Sequence, residues 1–160
     1  MSSELITLAD AVVAELNAAA PPAEPPEVPP DPPLSYALSM PFTAVRYYQP
    51  SFDLKEMKTL RVSVVPKGVE VAQEARGKGT FNYKVDIGVQ KKLEAETLAE
   101  IDPLMQLVEE IAELFRGKRL SSFPAAIWVK TEHAPVFAPD HLQELRQFTS
   151  VMTLTFRVSR

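Results

Sequence analysis

Phe81, Tyr83, Val85, Ile87 and Val89 occupy every second position of the stretch Thr80–Leu93 (T-F-N-Y-K-V-D-I-G-V-Q-K-K-L), with Asn82, Lys84, Asp86, Gly88 and Gln90 between them. Side chains alternate across a strand with a period of two, so the stretch predicts a strand with one apolar and one wet face. Such a strand belongs to an antiparallel sheet covered on one side. Arg76-Gly77-Lys78-Gly79 precedes it and marks a turn, and a helical pattern follows it.

The rest of the chain supplies the cover. Leu5, Leu8, Val12 and Leu16 recur at helical spacing, widened by Ile6, Ala9 and Val13, with Ser2 or Ser3 as cap. A second helix is predicted to start with Asp102 as N-cap and Pro103 at its first position. Leu104, Met105, Val108, Ile111, Ala112 and Phe115 make its buried stripe, and Gly117 ends it. Thr97-Leu98-Ala99-Glu100 has the capping-box pattern of a short preceding turn. Further strands are predicted at Phe42–Tyr48, at Leu60–Val64 closed by Pro66-Lys67-Gly68, at Pro124–Thr131, and at Val151–Val158. Val69–Ala75 reads as a further strand or a long loop, and Ala138–Leu142 as a loop with a short helical turn. The expected fold is α+β, a single mostly antiparallel sheet with two main helices on one face, in the order α-β-β-(β)-β-α-β-β.

Residues 21–33 hold eight of the 15 prolines. Proline lacks an amide hydrogen and fixes φ, which excludes helix and inner strand and predicts an extended strap of about 40 Å. Glu24, Glu27 and Asp31 stand where a proline-groove ligand would carry a basic residue, so the strap reads as a spacer. It could carry helix one to a distant docking point, on this chain or on a neighbouring subunit. The organisation is a helix over 1–20, a strap over 21–40 and an α+β assembly domain over 41–160, forming one domain overall.

Composition removes several function classes. The chain has no cysteine, which excludes disulfides, thiolate nucleophiles and cysteine-based zinc sites. No apolar run is long enough to span a membrane. The start Met1-Ser2-Ser3-Glu4 lacks the positive stretch of a signal peptide, so a cytoplasm-like compartment is expected. The net charge of −4 conceals −6 over residues 1–57, +5 over 58–92 and −3 over 93–160. A positive middle between negative ends suits head-to-tail association or a charged partner.

No catalytic constellation is expected, and neither a cofactor nor a metal. His133 and His141, with Glu132 and Asp140, match no ligand spacing and read as solvated loop side chains. Phe81 and Tyr83 beside Lys84 suggest a base-stacking platform, but they share a face with Val85, Ile87 and Val89 and belong in the core. The mixed charges Lys67, Glu70, Glu74, Arg76 and Lys78 lie on a glycine-flanked arm, Lys67–Gly79, suited to contacting a subunit or partner protein. The alternative is a nucleic-acid-binding module using the basic 58–92 region, with binding that falls steeply with salt.

Four pieces, the helix Leu5–Leu16, the strands Phe42–Tyr48 and Leu60–Val65, T-F-N-Y-K-V-D-I-G-V-Q-K-K-L feeding D-P-L-M-Q-L-V-E-E-I-A-E-L-F, and the closing F-T-S-V-M-T-L-T-F-R-V, together resemble the neck and tail-completion proteins of tailed bacteriophages, most closely the tail terminator group. The proline strap departs from the compact loop of that group. The resemblance implies a structural virion protein assembled in the host cytoplasm. It also implies a self-associated ring, commonly a hexamer, at the end of the tail tube, joined to the neck or head connector. DNA would pass through its channel without specific recognition, and acidic lumen walls would suit that passage.

Overall fold

A computed structural model describes residues 3–24, 27–28, 31, 35–49, 58–94 and 98–160. Its elements are α1 (Glu4–Ala19), β1 (Ala44–Arg46), β2 (Arg61–Ala75), β3 (Lys78–Lys92), α2 (Leu98–Phe115), β4 (Ile127–Glu132), α3 (Pro139–Leu145) and β5 (Gln147–Ser159). They form one five-stranded sheet in the order β1-β2-β3-β5-β4. The fold is α+β as expected, with β1 alone running parallel to its neighbour. Residues 47–60 supply the long connection that a parallel pair requires. Among the described residues, no helix is long and apolar enough to cross a membrane.

The period-two pattern becomes the core face. Val89 lies opposite Val62, Ile87 between Val64 and Met152, Val85 opposite Leu154, and Tyr83 opposite Phe156. All of these are buried, and they join the α1 residues Leu8, Val12 and Leu16 and the α2 residues Leu104, Leu107, Val108, Ile111 and Phe115 in one cluster. The other face is drier than an alternating pattern suggests: Ser63, Thr153 and Thr155 are buried there. Long side chains lie across the short hydroxyls, as where Lys67 Nζ donates to Thr153 Oγ1 at 3.3 Å.

Several expected boundaries move, each for a local reason. Phe42–Tyr48 contributes only three strand residues, Ala44–Arg46. The second strand does not close at Pro66-Lys67-Gly68 but runs on to Ala75, with a register shift between Pro66 and Gly68. Proline is tolerated there because β2 is an edge strand at that point and a bulge absorbs the irregularity. That bulge also keeps the pattern in phase. With Lys67 as the extra residue, Val69 and Val71 come opposite Tyr83 and Phe81 on the core side.

Helix α2 begins at Leu98, so Asp102 is not its cap and Pro103 lies inside it. The Glu100 carboxylate accepts the Glu94 amide at 2.7 Å and braces the exposed first turn; Thr97 of the expected capping box lies outside the described residues. Gly117, at φ +66°, ends the helix as expected. Leu107 joins the buried stripe, while Met105 and Ala112 sit at its half-buried rim. At α1, the Ser3 hydroxyl accepts the Ile6 amide at 3.5 Å; Ser2 lies outside the described residues.

Helix α1 packs on its own sheet, with Leu8, Val12 and Leu16 fully buried. The Leu38 amide donates to the Ala19 carbonyl at 3.2 Å, and Ser39 donates to the Glu110 carboxylate on α2 through both its amide and its hydroxyl. The two ends of the proline segment therefore meet. The expected distant docking point for helix one is therefore replaced by its own sheet. Positions 25, 26, 29, 30, 32 and 33 of the expected strap lie outside the described residues.

Candidate assembly surface

Strand β1 pairs with β2 only at Val62, Ser63 and Val64. Beyond that point, no described strand borders the outward edge of β2. From Val69 to Ala75 every residue of this edge is exposed, including Val69 at 50% and Val71 at 60%. An exposed strand edge is a row of unused amides and carbonyls, a template for another chain.

The structure places the five charged residues of the expected arm separately. Lys67 sits at the bulge, 3.6 Å from the Asp86 carboxylate, which also accepts the Thr153 hydroxyl at 2.6 Å. Glu70 lies opposite Asn82 on the outer face, and Glu74 falls at a second register shift, between Gln73 and Ala75. Ala75 pairs with Lys78, leaving Arg76-Gly77 as a two-residue turn in which Gly77 has φ +82°; this left-handed conformation favours glycine. Lys78 opens β3.

Lys67–Gly79 is thus the end of the sheet and not a free arm. Strand β5 runs almost as far as the hairpin, and Gly79 and Arg160 exchange backbone hydrogen bonds of 2.7 and 3.0 Å. The hairpin base is also tied to α1. Tyr83 donates its hydroxyl to Glu4 at 2.7 Å, Arg160 pairs with the same carboxylate at 2.8 Å, and the Arg160 guanidinium lies 4.3 Å from the centre of the Phe81 ring. Burial, helped by the Glu4 carboxylate, pushes the Tyr83 phenol up to about 12.

The opposite border of the sheet is β4, whose outward side carries an isolated bridge from Arg119 to Ile127 and is open beyond it among the described residues. A groove of about 510 Å³ runs beside it, lined by Met105, Ala112, Trp128 and Val136 and rimmed by Glu109 and Lys130. Sequence patterning located this strand, at Pro124–Thr131, but not its faces, because a bulge between Trp128 and Lys130 breaks the alternation. The visible clue was a lone tryptophan in a short strand.

The two histidines are half-buried and hydrogen-bonded. His133, just after β4, has Nε2 2.8 Å from Ser150 Oγ, and His141, in α3, has Nδ1 3.0 Å from Thr149 Oγ1. No group of three His, Cys, Asp or Glu suited to a metal ion occurs among the described residues. Burial holds His133 below its ordinary value of 6.5, with a hydrogen bond involving the Val136 backbone opposing the shift. The unfolded chain then binds more protons than the folded one just below that pH. Stability should fall as pH drops through about 6.5 and level off once the folded histidine is also charged. His133→Gln should lack this slope when urea unfolding is compared between about pH 7 and 5; identical slopes in the two proteins would remove His133 from the account.

No protein-family model matches the sequence, and no curated protein matches it. Among solved structures, the whole chain aligns with part of the PVC sheath/tube terminator of an extracellular contractile injection system in its extended state. The likeness has 14% identity and a TM-score of 0.46. The chain spans 58% of the length of that protein.

Proposed function

We propose that this chain is a structural assembly protein of a tailed particle, a tail terminator or head–tail joining protein that acts without catalysis, cofactor or metal. Copies form a ring, with six as the expected number, on the end of the tail tube. The ring contacts tube and neck proteins, and DNA passes through it unread. The protein is a component of the particle, assembled in the host cytoplasm.

The observation that carries this reading is the exposed β2 edge, bearing both charge signs and two uncovered valines. Such a surface fits protein better than phosphate. The resemblance of the four sequence segments to phage tail terminators supplies the particular assembly. The basic residues of 58–92 are split between the two ends of the sheet, with Lys58, Lys91 and Lys92 lining one pocket at one end and Lys78 at the other. Lys78 and Lys92 stand at opposite ends of β3, about 45 Å apart at strand rise. Lys67 faces Asp86, and Lys92 donates to the Leu145 carbonyl at 2.6 Å.

Light scattering with negative-stain imaging tests the reading. A closed annulus with a central hole is expected, together with DNA affinity too weak to survive physiological salt. A monomer that shifts DNA at low salt and releases it steeply as salt rises would favour the nucleic-acid module instead.

A further inference from the structure

We propose that the ring closes by strand addition, the open β2 edge of one copy pairing antiparallel with β4 of the next. The inference rests on the assembly reading above and names the occupant of the β2 edge as a second copy of this chain. The two open borders lie on opposite sides of the sheet. Strands β2, β3, β5 and β4 alternate in direction, so β2 and β4 run in opposite senses. Rotation about an axis parallel to the strands preserves every sense. It therefore brings β2 of the next copy alongside β4 in antiparallel order, and the alternation continues across the junction. Each copy uses two different surfaces, the condition for a closed ring and not for a two-fold dimer.

The faces also match. On the core side, β2 offers exposed Val69 and Val71, and β4 offers half-buried Trp128 opposite Phe156. Pairing would cover the valines with the indole, a contact typical of neighbouring strands. On the outer side, Glu70 of β2 would meet the ammonium of Lys130, a β4 residue opposite Thr155 of β5. Lys130 already stands 3.0 Å from Glu132, so it would bridge two carboxylates. Backbone hydrogen bonds along the shared edge supply affinity, and these side chains fix the register.

Because the chain has no cysteine, introduced pairs report the junction directly. Glu70→Cys or Ala72→Cys would be combined with Lys130→Cys or Glu132→Cys in the full-length protein. All four positions are exposed and lie on the outer face. Antiparallel neighbours bring Cβ atoms within disulfide reach. At least one double variant is expected to give, on oxidation, a non-reducing gel ladder that ends at the ring and collapses with reductant, while the single variants stay uncrosslinked. Dimers from Glu70→Cys or Ala72→Cys alone would mean two β2 edges pairing with each other and would overturn the proposal. A ring by light scattering with no cross-link in any of the four combinations would overturn strand addition while leaving the assembly reading standing. A chain that stays monomeric at high concentration would sink both.

Discussion

Replacing Phe156 by alanine should cost about 3–5 kcal/mol of folding stability, a large part of the roughly 5–15 kcal/mol available to a domain of this size. Phe156 is fully buried on β5, with Tyr83 opposite it on β3 and Trp128 opposite it on β4. Removing its ring takes away apolar burial and leaves a cavity that three strands held in register cannot collapse into. Val71→Ala, on the exposed end of β2, should change stability by no more than about 0.5 kcal/mol. Urea denaturation of the two variants settles the comparison. Equal losses would mean that the β2 end is core sheet, and the assembly surface would have to be sought elsewhere.

Asn17→Ala should cost about 1–2 kcal/mol, although it removes little volume. The Asn17 side chain binds one backbone residue twice: Oδ1 accepts the Ala44 amide at 2.7 Å and Nδ2 donates to the Ala44 carbonyl at 3.1 Å. It acts as a short strand pairing with β1, and so fixes the end of α1 to the border of the sheet. Alanine at position 17 would leave the Ala44 donor and acceptor without their partner; because Asn17 is exposed, water replaces part of what is lost. Asn17→Asp keeps the acceptor but sets a carboxylate against the Ala44 carbonyl. Its loss should exceed that of Asn17→Ala at neutral pH and shrink in acid, where the protonated group can donate again. A near-neutral Asn17→Ala in denaturant unfolding would show that β1 is held by other means.

The parts of the fold legible in the sequence are those where a single period runs uninterrupted. The alternation from Phe81 to Val89 and from Met152 to Val158 located the two central strands and their buried faces, and helical spacing located α1. Legibility fails where a backbone irregularity resets the count. At Pro66-Lys67-Gly68 a bulge continues a strand that proline and glycine normally end, and at Trp128–Lys130 another puts on opposite faces two residues that strict alternation puts on one. Asp102-Pro103 is a locally sound start signal, yet the helix began earlier, with Glu100 bracing the turn ahead of it. The charged stretch Lys67–Gly79 was visible as a surface of interest. That it forms a sheet edge depends on how few residues of β1 pair with it, and no local pattern encodes that.

The contact between Leu38 and Ala19 changes the meaning of the proline-rich stretch. A segment whose ends are pinned together carries no load and transmits no geometry, so its length is nearly free. Its prolines then act mainly on the unfolded chain, by narrowing the conformations given up on folding. With that closure made at its ends, changes of length within the stretch are expected to leave α1 seated on its sheet.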